Sequence, residues 1–185
     1  MDVDGDGAAD TAWLTGGADR TFGITTASGA TSSLPIDSAS PIAASAVVGT
    51  VSAVDGSDVT VALVDLGREA RLLTFVDCAV TATTDSSGAP YVFDRGFTGQ
   101  GTGVGCSDVD GENRLAGLLA SQEGDGWTVT RTLIDLDDSG RLASNGTSEV
   151  VASGAGQDEP VVTTAQEVSC GDLVAGAGGL SEPAS

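Results

Sequence analysis

Apolar positions along this chain fall in short runs. They include TAWL (11–14), AASAVVGTV (43–51), VTVALV (59–64), ARLLTFVDCAV (70–80), YVF (91–93), LAGLLA (115–120), WTVTRTLIDL (127–136), SEVVAS (148–153) and VVTTAQEVSC (161–170). Val, Thr and Ile dominate many of them, and Gly, Asp, Ser or Pro separate them, which is the punctuation of β-strands. WTVTRTLIDL alternates, with Trp127, Val129, Arg131 and Leu133 on one face and Thr128, Thr130, Thr132 and Ile134 on the other. VTVALV and LAGLLA are apolar on both faces, so they are expected to be covered on two sides. TASGAT, TDSSGAPY, EGDGW and DDSGR place Gly where a turn needs positive φ. Asn145-Gly146 in SNGTS is a further hairpin signal; it also forms an Asn-x-Thr sequon. The pattern predicts an all-β protein.

An internal repeat adds to this. DVDGDGAADTAWL at Asp2 aligns with DVDGENRLAGLLA at Asp108, and SAVDGSDVTVALV between them keeps the order of acidic loop then apolar strand. Each unit has room for about four strands, the make-up of a propeller blade. The expectation is a partial or small β-propeller-like array of about three four-stranded blades, with a β-sandwich as the alternative. It covers residues 1–175, and residues 176–185 read as a flexible Gly-rich tail.

Composition narrows the chemistry. The 185 residues include 27 glycines and 40% hydrophobic residues, but only 4% aromatics. Seven basic residues, all Arg, oppose 27 acids, for a net charge of −20. Nucleic acids and anionic membranes are repelled by such a surface. There is no His and no Lys, which excludes Ser-His-Asp and Cys-His nucleophilic sites, Schiff-base lysines and His-ligated zinc. No apolar run approaches the ~20 residues of a membrane span. Paired carboxylates could serve a glycoside hydrolase, but no pair is singled out among so many acids, so a non-catalytic protein is expected.

The acids at the start have a regular spacing. Counting from Asp2, carboxylates fall at loop positions one, three, five and nine: Asp2, Asp4, Asp6 and Asp10. A curled backbone can aim them at one centre, with the Ala8 carbonyl as a further oxygen. An all-oxygen set suits a hard cation with loose geometry, and Ca²⁺ is the natural occupant. An EF-hand would need a bidentate Glu at position twelve, where this chain has Trp13 and, in the second loop, Leu119. The second loop keeps Asp108 and Asp110, puts Glu112 at position five, and has Ala116 where position nine needs a carboxylate. It is a weaker calcium candidate. In the middle loop only Asp55 and Asp58 remain, at the wrong spacing.

The short loop running directly into an apolar strand resembles the calcium loops of FG-GAP repeats, also called VCBS or integrin-type propeller repeats. Their pattern, Asp-x-Asp-Gly-Asp-Gly-x-x-Asp, is matched throughout by DVDGDGAAD. The wider chain, in APYVFDRGFTGQGTGVGCSDVDG and GDGWTVTRT, is similar to the FG-GAP-like segment of exported, often lipid-anchored bacterial proteins. The resemblance implies an extracellular or cell-surface β scaffold, secreted or lipid-anchored in the full-length protein, and no particular reaction. The function expected is a calcium-binding module for adhesion or ligand binding, with a surface protein or a glycan as partner. A calcium-rigidified spacer and a glycan-binding or glycan-active protein are the alternatives. The chain begins inside its best motif, which reads as an artificial or miscalled start.

Three further features carry expectations. Cys78, Cys106 and Cys170 form no CxxC pair, so one disulfide with one cysteine left over fits an exported protein, and three buried thiols are the alternative. Cys106 and Cys170 each precede an acid, in GCSD and SCGD, which suggests equivalent positions in separate units; Cys78–Cys106 is therefore the expected bond. Gly99, Gly101, Gly103 and Gly105 suggest close packing over a strand. Trp13 and Trp127 read as core residues rather than sugar platforms. Finally, 163–170 is expected to pair beside TAWL and close the array.

Overall fold

The computed structural model describes residues 1–96 and 102–183. The protein is all-β, with three sheets. The first contains β1 (Thr11–Thr15), β2 (Thr21–Thr25) and β3 (Thr31–Pro35) in simple antiparallel order. The second is built on β4 (Ser45–Ser52), β5 (Asp58–Asp65), β6 (Glu69–Val76) and β7 (Ala79–Ala82); β8 (Val92–Asp94) also pairs with β6. The third is built on β9 (Thr102–Val109), β10 (Glu112–Glu123), β11 (Gly126–Leu136) and β12 (Ala143–Ala155). A short helix α1 (Pro160–Thr164) follows. Then β13 (Val168–Cys170) and β14 (Leu173–Val174) extend the third sheet beyond β9, and β15 (Leu180–Ser181) extends the second beyond β4.

Side-chain alternation explains the layering. In β5, Val59, Val61 and Leu63 point to one face and Ala62 and Val64 to the other, and all five are buried. The first face meets Val104, Leu115, Ile134 and Val168 of the third sheet. The second meets Leu14, Phe22 and Ile24 of the first. The second sheet is thus the middle layer, and VTVALV is covered on both sides as its composition requires. In β10, Leu115 and Ala116 are buried, but Leu119 is 44% exposed, so cover over LAGLLA is incomplete. On the outer face of the third sheet, Ala120, Val129 and Ala155 pack with Val162 and Ala165 of the α1 region. Three register shifts between β11 and β12 each place an extra residue on β12. Bulges of this kind bend a sheet and make a long edge strand a poor template for further pairing.

The acidic loops occupy related places among the strands. The three acidic loops stand before β1, between β4 and β5, and between β9 and β10, and each leads into a run of three antiparallel strands. Four consecutive strands pair in order in β4–β7 and in β9–β12, each run extended by C-terminal strands, whereas β1–β3 is a three-stranded sheet, so three equal four-stranded units are not formed.

Several expectations need correction. ARLLTFVDCAV is two strands, not one. Asp77 and Cys78 both take positive φ, 52° and 61°, and form the β6–β7 turn. Asn145-Gly146 is no turn but lies within β12, at one of the bulges; the turn is made earlier, at 137–140. A Cβ at Gly146 would come within 2.7 Å of the Asp135 carboxylate, which would have to move aside. The first half of VVTTAQEVSC is helical. Pro160 sits at the start of the helix, where its missing N–H is harmless, and Val162 is fully buried.

The disulfide joins Cys106 to Cys170, not Cys78 to Cys106. β13 runs parallel to β9 with Val168 opposite Val104 and Ser169 opposite Gly105. The next step of that register sets Cys170 beside Cys106, at a Cα–Cα distance of 4.6 Å. Cys78, in its turn, is exposed and free. The same register overturns the expected pairing of 163–170 with β1. β13 does meet the N-terminal half, but at β4 of the middle layer, where Cys170 Sγ lies against Gly49. The stretch read as a tail adds a second contact: β15 pairs with β4, and Glu182 forms a buried ion pair with Arg20.

Gly103 and Gly105 do mark close packing. A Cβ on either would strike backbone oxygens of the segment leading through β13, Ala165 and Glu167 for one and Ser169 for the other. Gly99 and Gly101 lie outside the described residues.

Candidate functional site

The first acidic loop closes on itself before β1 begins. The Asp10 N–H donates to the Met1 carbonyl at 2.6 Å. Gly5 and Gly7, at φ 74° and 84°, supply the left-handed steps of the curl, a conformation that costs other residues energy. Asp2 accepts the N–H groups of Gly5 and Gly7, at 2.8 and 2.9 Å. Asp10 is buried and accepts from Val3 at 2.6 Å and from Ala27 at 2.9 Å. The second of these bonds reaches into the β2–β3 turn, so Asp10 ties the loop to the first sheet.

Carboxylate oxygens of Asp2, Asp4 and Asp10 all lie within 4.8 Å of one another. Oxygens bound to one Ca²⁺ at 2.3–2.6 Å are at most about 5 Å apart, so these three can share one ion. Each oxygen that accepts one N–H keeps a second lone pair for a ligand bond. Asp6, predicted as the position-five ligand, stands outside this group and accepts the Ala8 N–H at 2.7 Å. Ala8, predicted to offer its carbonyl, thus also binds the loop through its N–H.

The electrostatics are those of crowded acids. Desolvation holds the Asp4 carboxyl above its ordinary pKa, and the charges of Asp6, Asp10 and Asp2 add to the effect. Asp10 is held below its ordinary value, first by the Val3 N–H and then by that of Ala27, against partial desolvation.

The second predicted site is not assembled. Asp110 and Gly111, at φ 55° and 86°, form a two-residue hairpin turn of the type that suits strand twist. Val109 stands opposite Glu112 and Asp108 opposite Asn113. Opposed residues share a face and successive residues alternate, so Asp108 and Glu112 project to opposite sides. They cannot close on one ion with Asp110. Asn113 has a structural task instead, donating to the Thr50 carbonyl of β4 at 2.6 Å. In the middle loop Asp55 accepts the N–H and hydroxyl of Ser57, at 3.0 and 2.7 Å.

Sequence reasoning missed the bond from Ala27 to Asp10, because residues 17 positions apart meet only once β1 and β2 pair. The tryptophans separate. Trp127 packs at the edge of the outer cluster. Trp13 is half-buried across Gly23, where a Cβ would collide with its indole, and donates Nε1–H to the Thr25 hydroxyl at 3.1 Å. No protein-family model matches the chain, and neither a curated protein nor a solved structure matches it.

Proposed function

We propose that this chain is a non-catalytic, calcium-stabilised module of the FG-GAP/VCBS type that works outside the cell or at its surface, in adhesion or ligand binding. The observation that carries the reading is the convergence of Asp2, Asp4 and Asp10 at the entry to β1. Asp6 and the Ala8 carbonyl complete the set by turning inward when the ion arrives. Ca²⁺ would neutralise the repulsion among these acids and fix the loop against the β1–β2 hairpin through Asp10. The disulfide and the net charge of −20 support an exported protein. Three face-stacked sheets, each with an acidic loop that leads into three antiparallel strands, support successive propeller-type blades; a layered sandwich shares that stacking.

Thermal melts with excess Ca²⁺ and with chelator test the proposal. A Kd in the range of extracellular modules, ~10⁻⁴ to 10⁻³ M, gives about 1–3 kcal/mol at about 10 mM Ca²⁺, which raises Tm by about 3–10 °C for a chain of this size. Asp4→Ala should abolish the rise. Equal melts with ion and chelator would reject the site.

A further inference from the structure

The inner face of the third sheet is not wholly covered by the middle layer. Cover ends at β8, where Tyr91 and Phe93 meet edge to face with ring centroids 5.3 Å apart. Beyond them lies an open groove of about 250 Å³, floored by β9, β10 and β11. That is somewhat below the roughly 300–1,000 Å³ of clefts for drug-sized ligands, so it has room for a small unit only.

Three independent features mark the groove as built for a ligand. Gly117 sits mid-strand in β10 and its φ is not left-handed. A Cβ there would meet only ordinary van der Waals neighbours, Phe93 Cδ1 at 3.9 Å and the Thr132 carbonyl at 4.0 Å. Neither backbone nor packing demands glycine, and a bare strand position of this kind marks where another molecule comes close. The Thr102 hydroxyl, also in the lining, is buried without a hydrogen-bond partner among the described residues. At the wall, the Tyr91 hydroxyl donates to Asn145 Oδ1, which fixes the ring beside the exposed Asn145 amide.

The lining also selects the chemistry. In a chain of net charge −20, the groove has among its described lining residues no arginine and a single acid, Asp94. Anions find no counter-charge there. Backbone groups of the floor are spent on the β9–β10–β11 ladder, so a peptide strand finds no edge to pair with. What remains is aromatic and aliphatic surface from Phe93, Tyr91 and Leu119 beside neutral hydroxyl and amide groups. That combination suits a ring with an apolar face and a hydroxylated rim. We propose that the groove between Tyr91 and Gly117 binds a neutral saccharide unit. The site lies apart from the acidic loop and does not depend on calcium.

The test is amide-resolved NMR of the whole chain titrated with cellobiose, maltose and N,N′-diacetylchitobiose, with trigalacturonate as the charged control, in Ca²⁺ and in chelator. At least one neutral sugar should shift the amides of Tyr91, Gly117, Leu119 and Asn145 in both conditions, and trigalacturonate should not. Gly117→Leu fills the floor; it should weaken binding at least tenfold while leaving Tm equal or higher. Tyr91→Phe keeps the ring and should weaken binding severalfold. No shifts with any neutral sugar, shifts centred elsewhere, or undiminished binding by Gly117→Leu would overturn the proposal. Loss of the calcium effect on melting would leave it standing, so the two readings fail separately.

Discussion

Cys170 Sγ lies directly over Gly49, with no space for a Cβ between them. Gly49 is in β4, in the middle layer, and Cys170 is in β13, bonded to Cys106 of the third sheet. The disulfide is thus pressed against the neighbouring sheet, and the glycine is the complement of its sulfur. Gly49→Ala should destabilise by about 1–3 kcal/mol, the usual result of overpacking a filled core. In a Cys106→Ala/Cys170→Ala background the same substitution should cost much less. Denaturant unfolding of the four chains checks the coupling, and equal costs in both backgrounds would refute the contact.

The disulfide itself closes a loop of 64 residues. On the chain-entropy account such a loop is worth about 4 kcal/mol, less whatever structure the unfolded chain keeps. Cys170→Ser should therefore lower stability by several kcal/mol, whereas Cys78→Ser, at an exposed turn, should change it little. Non-reducing peptide mapping should link the peptides holding Cys106 and Cys170.

These two cysteines also show where sequence reading stops. Strand positions were legible because Val/Thr runs and Gly-bearing turns are local signals, and the double-sided cover of β5 followed from apolar residues on both of its faces. The convergence of Asp2, Asp4 and Asp10 was legible for the same reason, since the three acids sit within one curled loop. Parallel pairing of β13 with β9 has no local signature: 64 residues separate the bonded cysteines, and only the register of two strands sets them side by side. The groove is illegible in the same way, since Tyr91, Thr102, Gly117 and Asn145 come from four separate segments. The Asp77–Cys78 turn escaped notice because it contains no glycine, and Asn145-Gly146 misled because a bulge can use the same residues as a hairpin. One signal was present but unused: a lone glycine inside LAGLLA, where nothing local explains it.

Acid stability should depend on the side-chain-capped turns. The hydroxyl and N–H of Ser87, with the N–H of Ala89, hold the Asp85 carboxyl below its ordinary range, and Ser57 does the same for Asp55. A depressed folded pKa contributes stability that is complete above the unfolded value of about 3.9 and is lost as pH falls through the lower folded value. Asp55→Asn/Asp85→Asn should be less stable than the parent at neutral pH and should lose less on acidification. Urea midpoints measured from pH 7 to pH 2 in chelator give both comparisons; parallel curves would show that the turns contribute nothing.

The last prediction concerns the stretch that composition marks as a tail. Arg20 and Glu182 form an ion pair with side chains only 7% and 8% exposed, and Arg20 Nη2 also donates to the Ile42 carbonyl at 2.9 Å. The Glu182 N–H bonds to the Ala44 carbonyl at 3.0 Å, next to the pairing of β15 with β4. The C-terminal segment therefore covers the β4 edge and neutralises a cation buried beside the first sheet. Removing one partner of a buried pair leaves a charge without compensation, at about 3–5 kcal/mol. Replacing both by apolar residues removes that penalty. Glu182→Ala should consequently destabilise strongly, Arg20→Leu/Glu182→Leu should recover most of the loss, and truncation after residue 175 should be at least as damaging as Glu182→Ala. Calorimetric melts of the three variants decide it. If truncation leaves Tm unchanged, the segment is a tail after all, and Arg20 must find its compensation elsewhere.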